Sequence, residues 1–315
     1  AGLSQFRVSF DYRETMGLQE RMAEVQFRRA IGSMKGKFPA SMPTETFDEQ
    51  LLLGDPQGVF VQLLWAPSET DDCIAVWHPG QRILYGGPAV IDFIPNLGTP
   101  FRTQRDAVRW ADTLDRLAAL DPAMVVREFG EPLVGEQQVQ QVLGQTAKAL
   151  RWVRVEVVRM MNAGMGERDI LAAIDFPPEL FEVPWMQPTY GDPAWIARDV
   201  YRSENGWWDR NPTNLHPAPR EAADHAIAEA ITDKQAVIAQ ASVLAEQGNT
   251  QLALHVIDLL ATLQCDGVEI AQARQLKAQW MRQRASQTRS FISKSIFHAA
   301  AQMTEDGQAA VLGFT

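Results

Sequence analysis

The sequence predicts an α/β layer in the first part of the chain and an all-α region after it. Three observations predict this. Short apolar runs of strand character fall only before about residue 135. Beyond that point apolar residues recur at helical spacing, and no further strand is expected. Turn residues punctuate the first part every few residues, whereas the second part runs in long segments. A length of 315 residues suits two domains of ordinary size, drawn here as 1–135 and 136–315. The 46% apolar content against 22% charged content is enough to build a buried core.

The elements follow in order. Val59 to Trp65 is an apolar run after Gly58, and Cys73 to Trp77 is a second. "HPGQR" turns the chain tightly into Ile83, Leu84 and Tyr85. These read as adjacent, mostly buried strands. Gln104 to Leu120 places Val108, Ala111, Leu114, Leu117 and Ala118 on one helical face, and Asp121-Pro122 ends it. "AMVV" is one more strand. Glu136 to Met161 is a long helix with Val139, Val142, Leu143, Leu150, Val153, Val157 and Met160 on its apolar stripe, stopped by the Asn162 to Gly164 segment. Helices resume at Arg220. Thr232 with Gln235 reads as a capping box; Gly248 ends that helix, and Thr250 is expected to cap the next, to about Gln264. "LAEQGNTQLALHVIDLL" has the spacing of one tetratricopeptide-like hairpin, for which plain helix packing is the simpler reading.

Composition excludes several classes. A formal net charge of −10 with no basic stripe argues against nucleic acid. No apolar run reaches the roughly 18 residues of a membrane span. "AGLSQFRVSF" carries Arg7 in its only apolar stretch, so no signal peptide is expected. Cys73 and Cys265, far apart in apolar surroundings, read as buried free thiols in a reducing compartment, which gives a cytoplasmic expectation. No G-x-S-x-G elbow, P-loop or G-x-G-x-x-G is present. Glu128 and Glu131 flank Phe129 and read as solvated loop charges rather than a carboxylate pair. Asp209 and His216 are read as structural, with an acid/base pair as the other reading.

The stretch "GWWDRNPTNLHPAP", residues 206–219, packs two tryptophans, two asparagines and three prolines into fourteen positions. Prolines forbid a helix there, and two indoles in a loop must be anchored to their own domain or to a partner. Around it the order Met161-Asn162-Ala163-Gly164, Asp169-Ile170, Pro177-Pro178, Tyr190-Gly191, Tyr201, Gly206-Trp207, Asp209, Asn211-Pro212 and Leu215 resembles the dimerisation domain of the alkyl sulfatases, a family of the metallo-β-lactamase superfamily. Upstream, "APSETDDCIAVWHPGQRILYGG", "PNLGT", "RDAVRWADTLDRL" and "FGEPLVG" resemble the second half of that family's αββα sandwich. The likeness spans about residues 45 to 265. It implies part of a metallo-β-lactamase sandwich followed by a helical dimerisation domain.

The resemblance also implies a two-zinc site, and this chain departs from it. The family's HxHxDH-type motif is absent, and the five histidines are not at ligand spacing on one element. Glu69 in "PSETDD" stands where a ligating glutamate is expected and is the one residual metal ligand. Gly87 stands where an acidic ligand ends the strand, and Phe129 where the last histidine stands. Trp195 takes the place of the family's active-site histidine. Arg102 and Arg105 correspond to sulfate-binding guanidiniums, with the spacing before Arg105 one residue short. Without three or four donors a zinc is not held, and no hydroxide is activated at neutral pH. Restoring Asp at 87 and His at 129, with the upstream motif supplied, is expected to raise zinc affinity.

The expectation is therefore an alkyl-sulfatase-like homologue with a degenerate metal site, no cofactor, and a structural or partner-binding role. The alternative is a zinc-dependent hydrolase of sulfate or carboxylate esters with apolar tails, whose first metal motif lies upstream or on another chain that completes the sandwich. A homodimer through the helical domain is expected, because Met160, Met161, Met165, Phe176, Leu180, Phe181, Trp185, Met186 and Trp195 offer more apolar surface than one helical layer buries. Trp195, Tyr201, Trp207, Asp209, Asn211 and His216 are expected to line its pocket or interface.

Overall fold

The computed structural model describes residues 45–100 and 102–306. Two compact units divide the described chain at Arg210/Asn211. The first carries one six-stranded sheet in the order β1 (Gln50–Gly54), β2 (Phe60–Trp65), β3 (Ile74–His78), β4 (Ile83–Tyr85), β5 (Met124–Val126), β6 (Leu133–Val134). All pairings are antiparallel except β4 with β5, where Leu84 stands opposite Val125. A parallel pair needs a crossover. Here it is α1 (Ala107–Ala118), started by Asp106, whose carboxylate accepts from the Val108 and Arg109 amides. Trp110, Ala111, Leu114 and Leu117 are buried, and the Trp110 indole donates to the Ala89 carbonyl at 3.0 Å.

Alternation along the strands sorts the two faces of the sheet. Ala75, Trp77, Leu84 and Val125 lie buried in the core that includes Trp110. Ile74, Val76, His78, Ile83 and Tyr85 point the other way and are exposed or half-buried. The expectation of mostly buried strands is thus corrected: β2 is half-buried along its length and β1 is largely exposed. Among the described residues the sheet has a filled face and an open one, and open positions keep even apolar side chains in solvent.

Beside α1 lies α2 (Glu136–Asn162), with Val139, Val142, Leu143, Ala147, Leu150, Val153 and Val157 buried. It shares one core with the sheet. This moves the boundary: a helix whose apolar stripe is spent on the sheet layer belongs to that unit, so compactness divides the chain at 210 rather than at 135. The unit continues through α3 (Glu167–Ala173), the single turn α4 (Pro178–Phe181) and α5 (Pro193–Asn205). The methionine- and aromatic-rich segment also packs at home. Met160, Leu180, Phe181 and Met186 are buried, and Met161, Met165, Phe176 and Trp185 pack against the same core. Trp152 of α2 meets Phe176 and Phe181 with ring centroids 5.9 and 5.8 Å away. Part of the apolar surface expected to drive association is buried inside the unit, and Trp195 remains half-buried outside this core.

The second unit holds α6 (Arg220–Ala230), α7 (Lys234–Glu246), α8 (Thr250–Ala261), α9 (Val268–Gln287) and α10 (Phe291–Glu305). Successive helices from α7 onward pack as hairpins. Small residues let them approach closely: Ala241, Ala253, Ala261, Ala273 and Ala278 are buried beside Ile257 and Leu260. Two caps differ from expectation. Asp233, not Thr232, caps α7 and accepts from the Ala236 amide at 3.0 Å. Asn249 takes the cap position of α8, and no side chain caps that helix.

Within this unit Lys277 is buried, with its ammonium 2.6 Å from the Asp258 carboxylate. Burial pulls the Lys277 pKa below its usual value, and Asp258 opposes that. The unfolded chain therefore holds more protons on this group between the lowered value and 10.5, and its contribution to stability rises with pH through that window. Removing the counter-charge alone strands a buried cation. Asp258→Ala is predicted to destabilise by about 3 kcal/mol or more in denaturant titration, with the double variant Asp258→Leu/Lys277→Met recovering most of it.

Candidate functional site

The site lies where three loops of the first unit converge. Glu69 sits in the β2–β3 connection, Asn96, Thr99 and Arg105 in the segment leading to α1, and Glu128 just after β5. Asn96 donates its amide to the Glu69 carboxylate at 2.7 Å. Thr99 donates its hydroxyl to the Asn96 side-chain carbonyl, which fixes which end of that amide faces Glu69. The Arg105 guanidinium, 8% exposed, lies 3.4 Å from Glu69 and donates to the Asn96 backbone carbonyl. Glu69 is thus neutralised and hydrogen-bonded by the chain itself.

The loop 96–105 is braced from α5. Asp199, buried, accepts from the Gly98 and Arg105 amides, each at 3.1 Å. Its backbone carbonyl accepts from the Gln104 amide at 3.0 Å. Burial pushes the Asp199 carboxyl above its usual range, and the two amides and the charges of Arg105 and Arg202 oppose that push. Gly98 is demanded by contact as well as by its φ of +64°, because a Cβ there would collide with the Trp195 carbonyl. Tyr190 and Gly191 belong to the same brace. The Tyr190 ring stacks on Phe93 at 6.0 Å, its hydroxyl accepts from Arg102 at 3.4 Å, and Gly191 lets Ile94 approach.

The other expected site residues fall as follows. Gly87 opens a 3₁₀ turn, Gly87–Ala89, after β4, at φ +54°, and a Cβ there would meet the Ile74 carbonyl. Phe129 is half exposed and rests on Phe93 at 5.7 Å. Arg105 turns inward, its Nη1 meeting both Glu69 and the Asn96 carbonyl, while Arg102 turns to Tyr190. Tyr201 is buried in the core, with the Arg210 guanidinium 5.9 Å above its ring. Trp195 is half-buried, and Trp207 is 76% exposed. Asp209 is exposed and lies one residue before the end of the first unit. Asn211 caps a 3₁₀ turn, Pro212–Leu215, by accepting from the Thr213 amide at 3.1 Å, and exposed His216 follows that turn.

Sequence reasoning missed two features. Asn96, Thr99 and Asp199 were passed over as ordinary polar residues, although "PNLGT" was singled out as a motif. Glu128 was set aside as a solvated charge. Its residue is exposed, yet its carboxyl pKa is raised, first by partial burial and then by the negative charge of Glu69. The partner of Glu128 across the site is Glu69, not Glu131.

Comparison with known proteins follows this geometry. Residues 166–307 match the alkyl sulfatase dimerisation family. A linear primary-alkylsulfatase from a Pseudomonas strain is 32% identical over 183 residues, 56% of this chain and 34% of the relative. This chain is similar to the alkylsulfatases over these stretches. An alkyl/aryl-sulfatase from Saccharomyces cerevisiae is 26% identical across 69% of the chain and 34% of its own length. The fold agrees: a stereoselective inverting sec-alkylsulfatase of Pseudomonas sp., Pisa1, superposes with a TM-score of 0.75 at 23% identity, covering 84% of this chain and 42% of that one. The chain spans about a third of the length of the curated relatives it matches. It is alkylsulfatase-like in both its sheet-bearing unit and its helical one. Among the described residues no helix is long and apolar enough to cross a membrane.

Asp199 is the brace whose loss is felt most at the site. Asp199→Ala is predicted to destabilise by about 2 kcal/mol, because it leaves two partly buried amides without their acceptor. Hydrogen exchange should then rise first at Gly98 and Arg105. Unchanged exchange there would show that the loop is held by other contacts.

Proposed function

We propose that this chain is a non-hydrolytic relative of the alkylsulfatases, with a structural or partner-binding role. The observation that supports this reading most directly is the state of Glu69. A carboxylate that serves as a zinc ligand must keep a lone pair free for the metal. Here Asn96 and Arg105 both meet one carboxylate oxygen, Oε1, and the largely buried guanidinium stands beside it where a second cation would be repelled. Gly87 and Phe129 contribute no donor at the two other family positions. Among the described residues no three His, Cys, Asp or Glu side chains gather as a metal would require. The residues present do not fit the family's zinc, and no hydrolytic step is derived through it.

One observation favours the alternative hydrolase. Glu128 and Glu69 repel one another across the site, and a cation between them would relieve that repulsion. The missing donors would then come from the family's first metal motif, upstream or on another chain that covers the open face of the sheet. Metal analysis of the full chain after growth in zinc separates the two readings. Substoichiometric zinc is expected, and two zinc ions per chain would overturn the degenerate-site reading.

The matched dimerisation family supports a homodimer through the helical part. Light scattering on the full chain at micromolar concentration is expected to give twice the chain mass, and a stable monomer would contradict it. Restoring the lost acidic ligand also has a different expected outcome in light of the backbone. Gly87→Asp forces a side chain into positive φ and against the Ile74 carbonyl, so it is predicted to destabilise by about 1–3 kcal/mol in thermal or denaturant unfolding, with no gain in zinc affinity. A stable Gly87→Asp variant that binds zinc would show that this turn is not the obstacle.

A further inference from the structure

Helix α8 starts without a cap. The Ala253 amide is the first to reach a helical partner, the Asn249 carbonyl at 3.0 Å. The amides of Thr250, Gln251 and Leu252 lie in the turn before it and have no intrahelical acceptor. Asn249, the residue type that usually fills this gap, has φ −85° and ψ 51°, and its side chain makes no capping bond. In front of this helix end is a cleft of about 380 Å³, lined by Gly248, Asn249, Thr250, Gln251, His255 and Arg284 together with Leu252 and Gln287.

Two features mark the cleft as more than a bare helix end. Thr250 is 2% exposed, and its hydroxyl has no hydrogen-bond partner. A buried hydroxyl left unpaired is costly, and it lies at the wall of a cleft that could supply an acceptor. Arg284, from the last turn of α9, brings a guanidinium to the same wall. Its Nη1 donates to Gln287 at 3.0 Å, its Nε is buried without a partner, and its plane sits 6.0 Å from the Phe297 ring. Among the described residues no carboxylate lines the cleft, in a chain of net charge −10. The first turn of α8, the Thr250 hydroxyl, the His255 imidazole and the Arg284 guanidinium line one volume, and of these the Thr250 hydroxyl and Arg284 Nε lack a partner.

We propose that this cleft binds a phosphate or sulfate group, either as the free ion or as the head of a monoester. Three amides at a helix N-terminus carry the positive end of the helix dipole and suit an anion with several oxygens. Arg284 adds a charge-assisted bond from the side, and the Thr250 hydroxyl satisfies an oxygen at the base. The site belongs entirely to the helical unit and uses none of the residues around Glu69.

The test is calorimetric titration of the full chain with inorganic phosphate and with phenyl phosphate, in chloride buffer at matched ionic strength. Three variants accompany it: Arg284→Gln, Thr250→Val and Gln251→Glu. The last places a negative charge in the first turn, which favours the helix while repelling the ligand, so its folding is preserved. Saturable phosphate binding is expected. It should weaken roughly tenfold or more in Arg284→Gln and Gln251→Glu, the scale of one lost charge-assisted contact, and less in Thr250→Val. The Gln251→Glu unfolding midpoint should not fall. Phenyl phosphate binding at least as tightly as the inorganic ion assigns the cleft to a monoester, and binding of inorganic phosphate alone assigns it to the free ion. No saturable binding of either, or equal affinity in wild type and Gln251→Glu, would overturn the proposal.

Discussion

The contact between Arg105 and Glu69 is the constraint around which the sheet-bearing unit's loops are arranged. A guanidinium buried to 8% exposure needs a counter-charge, and Glu69 supplies it. For Arg105 to reach Glu69, the chain between the sheet and α1 must be held in one course. Asn96 and Thr99 set that course from inside the loop, and Asp199 sets it from α5 through the Gly98 and Arg105 amides. The close approach of Trp195 to Gly98 follows from the same requirement. In this arrangement the charge of Glu69 is met by the chain's own cation.

A consequence is that the first unit extends further along the chain than its strands do. α2 is bound to α1 and the sheet by its apolar stripe, and α5 is bound to the 96–105 loop by Asp199. The segment that carries the dimerisation family's first residues therefore also braces the candidate site. Loss of α5 packing should be felt at Glu69, and this couples the helical region to the loops without any residue being shared between them. The crowded methionine and aromatic segment serves the same end: Trp152, Phe176 and Phe181 tie the loops after α2 back onto it.

Much of this was legible in the sequence, for identifiable reasons. β2, β3, β4 and α1 each combine a clear period with turn residues at their ends, and α2 carries a stripe over 27 residues. Glu69, Gly87 and Phe129 were found because a family pattern gave them an expected chemistry. β1 was missed because its residues are largely exposed, so "QLLLG" shows no alternation to read. Asn96, Thr99 and Asp199 were missed because their importance is a matter of partners far away in sequence: Asp199 lies 94 residues from Arg105. Compactness divides the chain at 210 rather than 135 for the same reason, since a helix's allegiance is set by what its stripe meets. Thr232 lost the α7 cap to Asp233, one residue nearer the amide it accepts from.

The central claim is that Arg105 occupies Glu69 electrostatically and so takes the place of a metal. A double-mutant cycle on Glu69→Gln and Arg105→Gln, read as unfolding free energies of the full chain, tests it most directly. Each single variant leaves one charge without its partner, so each should destabilise, and the double variant should be less destabilised than the sum by more than about 1 kcal/mol. Effects that add within about 0.5 kcal/mol would show that the two groups do not depend on each other, and the account of this site would fail.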